Sequence, residues 1–173
     1  QLAQAVGGKI IGTASKWKHD KLKTMGVNNC IDYNTEDVYQ KVMEYTDSKG
    51  VDLIFDPVGS KNWKVSYKCL SPMGKLVIFG DQNFVKGKTF SLQASLKEFF
   101  SMPKFRPMDL MSRNKSVMGY HLGRLAGAEE KIQRATIALH NLAKDGKIKP
   151  VIDKVFPFTE AAQAHAYIQN KKN

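Results

Sequence analysis

The chain has 173 residues, of which 42% are hydrophobic and 25% charged, a composition typical of one globular α/β domain. Its formal net charge is +11, but the 27 Lys and Arg residues are scattered and form no basic stripe interleaved with aromatic residues. This pattern argues against a nucleic-acid-binding protein and is compatible with an anionic cofactor or with a plain solvated surface. No apolar run approaches the roughly 18 residues of a membrane-spanning helix.

The predicted secondary structure alternates between helices and strands. The predicted strands are residues 9–14, 29–33, 51–56, 75–79, 116–120 and 150–156. The predicted helices are residues 1–6, 16–25, 36–49, 61–70, 92–100, 108–111, 128–145 and those that follow Thr159. Such alternation predicts an α/β fold with a doubly wound parallel sheet of the Rossmann type, and we assign all of residues 1–173 to one domain.

Several local features follow from short patterns within these elements. Thr35 is placed to cap the third helix, Ser60 the fourth and Thr159 the last, as hydroxyl side chains commonly do. Residues 71–74 (SPMG) have the sequence of a type I turn. Residues 51–56 (VDLIFD) are almost continuously apolar, which predicts a strand that is buried on both faces.

The two cysteines are predicted to be buried free thiols. Cys30 and Cys69 each lie in an apolar element, and they lack the close CxxC spacing of a zinc site. Free thiols are typical of a reducing compartment, so we expect a cytoplasmic protein. The sequence predicts no metal site.

The glycine fingerprint GxGxxG of dinucleotide-binding folds, and the first strand that precedes it, are not in the chain. Gln1 lies inside a helical pattern and residues 171–173 follow another, so we expect the chain to be part of a longer protein. The first strand would lie between the strands at 9–14 and 51–56. Because burying a side chain contributes about 1.5–3 kcal/mol, its absence is expected to cost residues 1–173 roughly 5–10 kcal/mol, about a domain's whole stability.

Residues 9–22 (KIIGTASKWKHDKL) give the first indication of chemistry. At the end of the second strand of such folds, an acid hydrogen-bonds the free 2′-hydroxyl of NAD, whereas NADP requires that acid to be absent and cations to be near. Here the strand ends at Ser15, two lysines follow within three residues, and no acid precedes Asp20. The pattern predicts a pocket for the 2′-phosphate of NADPH, formed by Ser15 and Lys18. The alternatives are that Ser15 only caps the helix and that Lys18 is only a solvated lysine.

Other candidate residues lie at the ends of later strands. Tyr33 is either a half-buried aromatic residue or packs near the adenosine phosphate. Asp56 and Gly59 bound a strand-to-helix turn, where the glycine either serves the turn or lets the backbone approach a cofactor. His19, on a charged helix face, is predicted to be solvated, whereas His121 follows a strand end, where ligands bind in open sheets. No pattern assigns catalytic residues.

Several motifs, in order along the chain, resemble the cofactor domain of medium-chain dehydrogenase/reductases. They are GTASxxKH (residues 12–19), IDYNT (31–35), DPVG (56–59), PMGK (72–75) and GYHLG (119–123). Within that superfamily they resemble the zinc-independent quinone oxidoreductase branch, and most closely its synaptic vesicle membrane protein group. The cofactor-site residues implied by the resemblance are Lys18, Tyr33 and Lys171 at the 2′-phosphate, where the strand-end pattern also places Ser15, then Asp56 and Gly59 beside the adenosine, and Phe79, Gly80, Gly119, Tyr120 and His121 beside the nicotinamide.

The resemblance also implies a function and partners. The parent protein would transfer hydride from NADPH to a quinone or an enone, and would form a homodimer through the edge strand at 116–120, helped by the apolar face of 92–100. Residues 147–173 would return toward an N-terminal catalytic domain that lies outside the chain. The alternative is a vesicle- or membrane-associated binding protein, peripheral at vesicle or organelle membranes, that keeps the cofactor fold with little turnover.

Overall fold

The computed structural model describes residues 1–59, 61–80 and 100–169. The chain divides into two units, one formed by Lys9–Glu129 and one by Gln1–Gly8 with Glu130–Asn173. The predicted helix at 92–100 and the predicted cap at Ser60 fall outside the described residues, apart from Phe100.

Within its described residues, the unit at Lys9–Glu129 contains two parallel sheets. Its strands are β1 (Ile11–Thr13), β2 (Asn29–Ile31), β3 (Val51–Asp56), β4 (Leu70–Ile78) and β5 (Ser116–Gly119). Among the described residues, β1 pairs with β2, and β3, β4 and β5 form the second sheet in that order. The helices of this unit include, among the described residues, α2 (His19–Thr24), α3 (Val38–Tyr45), α4 (Lys61–Cys69) and α5 (Pro107–Arg113), with 3₁₀ turns at Lys16–Lys18 and Leu122–Arg124. The predicted α/β class with parallel strands is confirmed.

One apolar core serves both sheets. Ile31 of β2, Val42 of α3 and Cys69 of α4 are its buried centre. The partly buried residues that pack against this centre are Ile11, Val38, Met43, Val51, Ile54 and Val65. Both cysteines are free and buried, as predicted, with Cys30 in β2 and Cys69 at the end of α4. The central strand expected between β1 and β3 remains a prediction; Ile11 of β1 and Ile54 of β3 both pack against the same buried centre.

Strand β3 is partly exposed, so the prediction of burial on both faces was wrong. Ile54 points into the core, whereas Leu53 and Phe55 are 49% and 63% exposed. Continuous apolar sequence cannot distinguish the two cases, because it does not say which elements cover each face. The Phe55 ring meets the Phe79 ring edge-on, with their centroids 6.3 Å apart.

Residues 71–74 lie inside β4, so the prediction of a separate turn was wrong. Val51 pairs with Leu70 and Leu53 with Lys75, so the four residues 71–74 stand opposite a single residue of β3. The backbone bulges there and Met73 adopts a left-handed conformation with φ +65°. Its N–H donates to the Asn114 carbonyl at 2.7 Å, which holds the bulge against the residue that follows α5.

Two predicted helix caps were also wrong. The cap of α3 is Asp37, whose carboxylate accepts from the Gln40 N–H at 2.9 Å, while the Thr35 hydroxyl donates to Asp32. Thr159 lies within the 3₁₀ turn Phe158–Glu160. Both hydroxyls lie near the predicted helix start, but the chain enters each helix by a different turn.

The unit at Gln1–Gly8 and Glu130–Asn173 is helical. It contains α1 (Leu2–Ala5), most of α6 (Glu129–Lys144) and α7 (Ala161–Gln169). The predicted strand at 150–156 is wrong, because within the described residues that stretch pairs with no strand. This stretch contacts α7 instead. The Tyr167 hydroxyl donates to Asp153 at 2.6 Å, and the Tyr167 ring packs against the Phe156 ring.

No helix among the described residues is long and apolar enough to cross a bilayer.

Candidate functional site

The ends of β1 and β2 bring two predicted site residues together. Thr13 pairs with Ile31 in the parallel register, so Ser15 and Tyr33 each lie two residues beyond the same rung of the sheet. Their hydroxyl oxygens are 2.9 Å apart and share a hydrogen bond. The two hydroxyls form a polar pair at the carboxyl edge of the sheet, which is the edge where ligands bind in open α/β folds.

Ser15 and Lys18 are the two ends of one tight turn. The Lys18 N–H donates to the Ser15 carbonyl at 2.9 Å, which closes the 3₁₀ turn Lys16–Lys18. Ser15 occupies the position before this turn, but its side chain makes no capping hydrogen bond and contacts Tyr33 instead. The capping alternative is therefore wrong for the Ser15 hydroxyl.

The buried carboxylate of Asp32, which the sequence analysis did not single out, holds the turn that follows β2. The Oδ1 atom of Asp32 accepts from the Asn34 backbone N–H at 3.1 Å and from the Asn34 side-chain amide at 3.0 Å. Its Oδ2 atom accepts from the Thr35 hydroxyl at 3.0 Å. The same Asn34 amide lies 3.4 Å from the Ser15 hydroxyl. An Asp directly after a strand often forms an Asx turn, in which its carboxylate accepts from the backbone N–H two residues on, and Asp32 in IDYNT is a signal that could have revealed this network.

These hydrogen bonds predict how stability depends on acid. The Asn34 backbone N–H, followed by the Thr35 and Asn34 side chains, holds the pKa of Asp32 below its ordinary value of 3.8. A carboxyl whose pKa falls on folding stabilises the protein above its unfolded pKa, and that contribution is lost as the pH drops. Asp32→Asn should therefore flatten the fall of unfolding free energy between about pH 5 and pH 3, as measured by urea denaturation across that range. The exposed Asp20→Asn is the matched control, and identical acid profiles for wild type and Asp32→Asn would contradict the prediction.

His19 is buried, which corrects the prediction that it is solvated. Its side chain is 5% exposed, and its Nε2–H donates to the Ala14 carbonyl at 3.0 Å. The helix α2 begins at His19 directly after the 3₁₀ turn, so the ring folds back onto the end of β1. His19 thereby helps to fix the backbone that carries Ser15.

The second sheet presents the other predicted residues at its carboxyl edge. Asp56, Ile78 and Gly119 are neighbours in register across β3, β4 and β5. The Tyr120 N–H continues the ladder by donating to the Ile78 carbonyl at 2.8 Å. The predicted residues that follow these strand ends are Gly59, Phe79, Gly80, Tyr120 and His121. Among them, Phe79, Tyr120 and His121 are exposed. Gly119, the last residue of β5, also borders open space, since an added Cβ there would meet nothing within 4 Å.

The buried carboxylate of Asp56 stabilises the turn that follows β3. It is 2% exposed, and its oxygens accept from the Val58 N–H at 2.8 Å, the Asn62 amide at 2.7 Å and the Ser66 hydroxyl at 2.6 Å. The carboxylate thus ties the end of β3 to the start of α4. Within the turn, Gly59 has φ +104°, a conformation that favours glycine.

Gly80 marks a close approach between two turns. A Cβ at this position would lie 3.1 Å from the carbonyl oxygen of Pro57 and 3.4 Å from its Cα. Glycine therefore lets the end of β4 approach the turn that follows β3. Lys171, the remaining predicted residue, lies outside the described residues.

The family model described as zinc-binding dehydrogenase matches residues 25–173. The chain belongs to the zinc-binding dehydrogenase family. Membership of this family confirms the predicted relation to the medium-chain dehydrogenase/reductase superfamily.

Relatives of this zinc-binding dehydrogenase chain support the predicted branch. It is 38% identical to the synaptic vesicle membrane protein VAT-1 homolog of Rattus norvegicus over 164 residues, which cover 95% of this chain and 40% of that protein. It is 32% identical to a quinone oxidoreductase of Pseudomonas aeruginosa, over 99% of this chain and 49% of that protein. The crystal structure of a Pseudomonas syringae quinone oxidoreductase is similar with a TM-score of 0.74 and 26% identity, over 99% of this chain and 49% of that one. The chain spans about two fifths to one half of the length of these relatives. It is an oxidoreductase-like domain.

The zinc ion in the family's description does not fit the residues that the structure describes. Across 1–59, 61–80 and 100–169, no three His, Cys, Asp or Glu side chains come together as a metal site requires. A dinucleotide phosphate, by contrast, fits the hydroxyl pair of Ser15 and Tyr33 beside the turn that ends at Lys18.

Proposed function

We propose that this chain is the NADPH-binding domain of an oxidoreductase that transfers hydride from NADPH to a quinone or an α,β-unsaturated carbonyl compound. The observation that carries the proposal is the 2.9 Å contact between the Ser15 and Tyr33 hydroxyls at the carboxyl edge of β1 and β2. The name of the Pseudomonas aeruginosa relative, quinone oxidoreductase, supports the class of substrate.

The polar edge of β1 and β2 suits a 2′-phosphate better than a free 2′-hydroxyl. Both hydroxyls can turn to donate to phosphate oxygens, and Lys18 supplies a positive charge from the same turn. Asp32 directs its oxygens to Asn34 and Thr35, so this acid does not compete for the ribose. Lys171 would add a second cation, and the net charge of +11 favours the approach of an anionic ligand.

The edge of β3, β4 and β5 is proposed to hold the rest of the cofactor. The Asp56–Gly59 turn would lie beside the adenosine, and Phe79, Gly80, Gly119, Tyr120 and His121 beside the nicotinamide. When bound, the nicotinamide supplies the hydride, and the protein contributes orientation and electrostatics. The exposed rings of Phe79 and Tyr120 are suited to exclude water from one side of a bound ring.

Affinities of NADPH and NADH for the full-length protein test the proposal. Hydrogen bonds to charged groups contribute about 1.5–3 kcal/mol, so Lys18→Ala should weaken NADPH binding about 10-fold or more and leave NADH nearly unchanged. Lys23→Ala, which removes the same charge from α2 where Lys23 pairs with Asp20 at 3.8 Å, is the matched control. Tight binding of neither dinucleotide would overturn the proposal.

A second candidate function rests on the relatives named as synaptic vesicle membrane proteins, the first of which is 38% identical. The chain would then belong to a cytoplasmic protein that contacts vesicle or organelle membranes peripherally and keeps the cofactor fold with little turnover. Pelleting with anionic liposomes without NADPH-dependent quinone reduction would favour this candidate, whereas turnover without pelleting would favour the enzyme.

A homodimer is proposed with either function. Strand β5 (Ser116–Gly119) is the end strand of the described three-stranded sheet, so its outer edge is suited to pair with a second copy.

A further inference from the structure

Trp17 is an aromatic residue that the proposed cofactor site does not yet explain. Its side chain is 65% exposed although indole is among the largest apolar groups. It lies inside the turn whose two ends are Ser15 and Lys18, and that turn is closed by the Lys18 N–H to Ser15 carbonyl bond of 2.9 Å. An exposed indole between two proposed phosphate ligands calls for a role at that site.

The position of the Lys18 ammonium suggests that the Trp17 ring holds it in place. Its Nζ atom lies 5.0 Å from the centroid of the Trp17 ring, which is within the range of a cation–π interaction. A lysine side chain has four rotatable bonds and loses much conformational freedom when it binds an anion. An aromatic face that already holds the ammonium reduces that loss.

We propose that Trp17 is a positioning residue that holds Lys18 at the edge of β1 and β2 and thereby raises the preference for a dinucleotide with a 2′-phosphate. This inference rests on the proposed function, because it needs Lys18 to contact that phosphate. Trp17 acts through Lys18 and does not itself touch the phosphate. Its effect is therefore specific to NADPH and absent for NADH.

A direct role of Trp17 makes a different prediction. If the indole stacked on the adenine ring, its loss would weaken NADPH and NADH equally, because both carry adenine. If Trp17 only stabilised the fold, its loss would lower the melting temperature and both affinities together. Both of these roles leave the ratio of NADPH to NADH affinity unchanged, whereas positioning of Lys18 lowers that ratio; the melting temperature separates stacking from a structural role.

The test is calorimetric titration of NADPH and NADH into the full-length wild-type protein and its variants. Because exposed cation–π contacts change affinities about two- to fivefold, Trp17→Ala should weaken NADPH by that factor and leave NADH unchanged. Trp17→Phe, which keeps an aromatic face, should retain most of the NADPH affinity. In a Lys18→Ala background, Trp17→Ala should have no further effect, because the group it positions is gone.

Each other outcome overturns the inference. Equal losses for NADPH and NADH would assign Trp17 to stacking if the melting temperature is unchanged and to the fold if it falls. Independent losses in the double variant would show that Trp17 does not act through Lys18. A normal NADPH preference that Trp17→Ala leaves unchanged would overturn this inference alone. Wild-type protein that binds neither dinucleotide would overturn the proposed function and this inference with it.

Discussion

Alanine at position 50 is expected to lower the free energy of unfolding by about 3 kcal/mol or more. Gly50 has φ +79°, where an L-residue loses about 1–2 kcal/mol, and the added Cβ would also overlap its surroundings. It would lie 2.7 Å from the Cys69 carbonyl oxygen and 2.7 Å from the Ser71 nitrogen. Both atoms are backbone at the junction of α4 and β4, so they cannot move aside as a flexible side chain would, and such overpacking typically costs about 1–3 kcal/mol more.

Gly127→Ala is the matched control for this prediction. Gly127 has a nearly identical φ of +80°, but a Cβ there would meet nothing within 4 Å. The control should therefore lose only the conformational contribution, about 1–2 kcal/mol. Denaturation by urea measures both variants, and equal losses would show that backbone overlap at Gly50 carries no cost.

Asp56→Ala is expected to destabilise the protein by about 3 kcal/mol or more. The substitution removes the acceptor for the Val58 N–H, the Asn62 amide and the buried Ser66 hydroxyl. A buried donor left without a partner costs about 1–3 kcal/mol, and three donors are affected here. Urea denaturation gives the loss, and the resulting freedom of the Gly59 turn should also weaken dinucleotide binding.

Asp52→Ala separates this effect from the loss of any carboxylate on β3. Asp52 is exposed and accepts one bond, from the Ser71 hydroxyl at 2.8 Å. Its replacement should cost no more than about 1 kcal/mol. Similar losses of unfolding free energy for the two variants would contradict the prediction, because the buried hydrogen bonds of Asp56 would then stabilise the protein no more than the single bond of Asp52.

Much of the fold could be predicted because apolar runs and glycine breaks report local structure directly. The strands of both sheets lie where alternating elements predicted them, and parallel pairing follows from the helices between them. The wrong predictions concern segments whose conformation depends on contacts with residues that are distant in sequence. Residues 71–74 and 150–156 show this. The turn sequence forms a bulge against Asn114, and the predicted strand pairs with none of the strands in the described part of the chain.

The candidate site was predictable in part for a related reason. That Ser15 and Tyr33 meet follows from their equal distance beyond paired strand residues, which a sequence can reveal. The burial of His19 could not be predicted, because a helix position beside charged residues gives no sign that the ring folds back onto Ala14. The turn at Asp32 could have been predicted from the strand-ending Asp in IDYNT, but the 3.4 Å approach of the Asn34 amide to the Ser15 hydroxyl depends on the pairing of β1 with β2.

The two buried thiols make local opening of the fold measurable by their rates of alkylation. Burial raises the pKa of the Cys69 thiol to about 11, so at neutral pH it is protonated as well as enclosed, and the thiolate is the form that alkylating reagents attack. Cys30 is enclosed in β2, where its Sγ–H donates to the Val27 carbonyl at 3.1 Å. Each thiol is therefore alkylated only when the secondary-structure element that encloses it opens. The rate at Cys30 reports the opening of the β1–β2 sheet, and the rate at Cys69 reports the junction of α4 and β4.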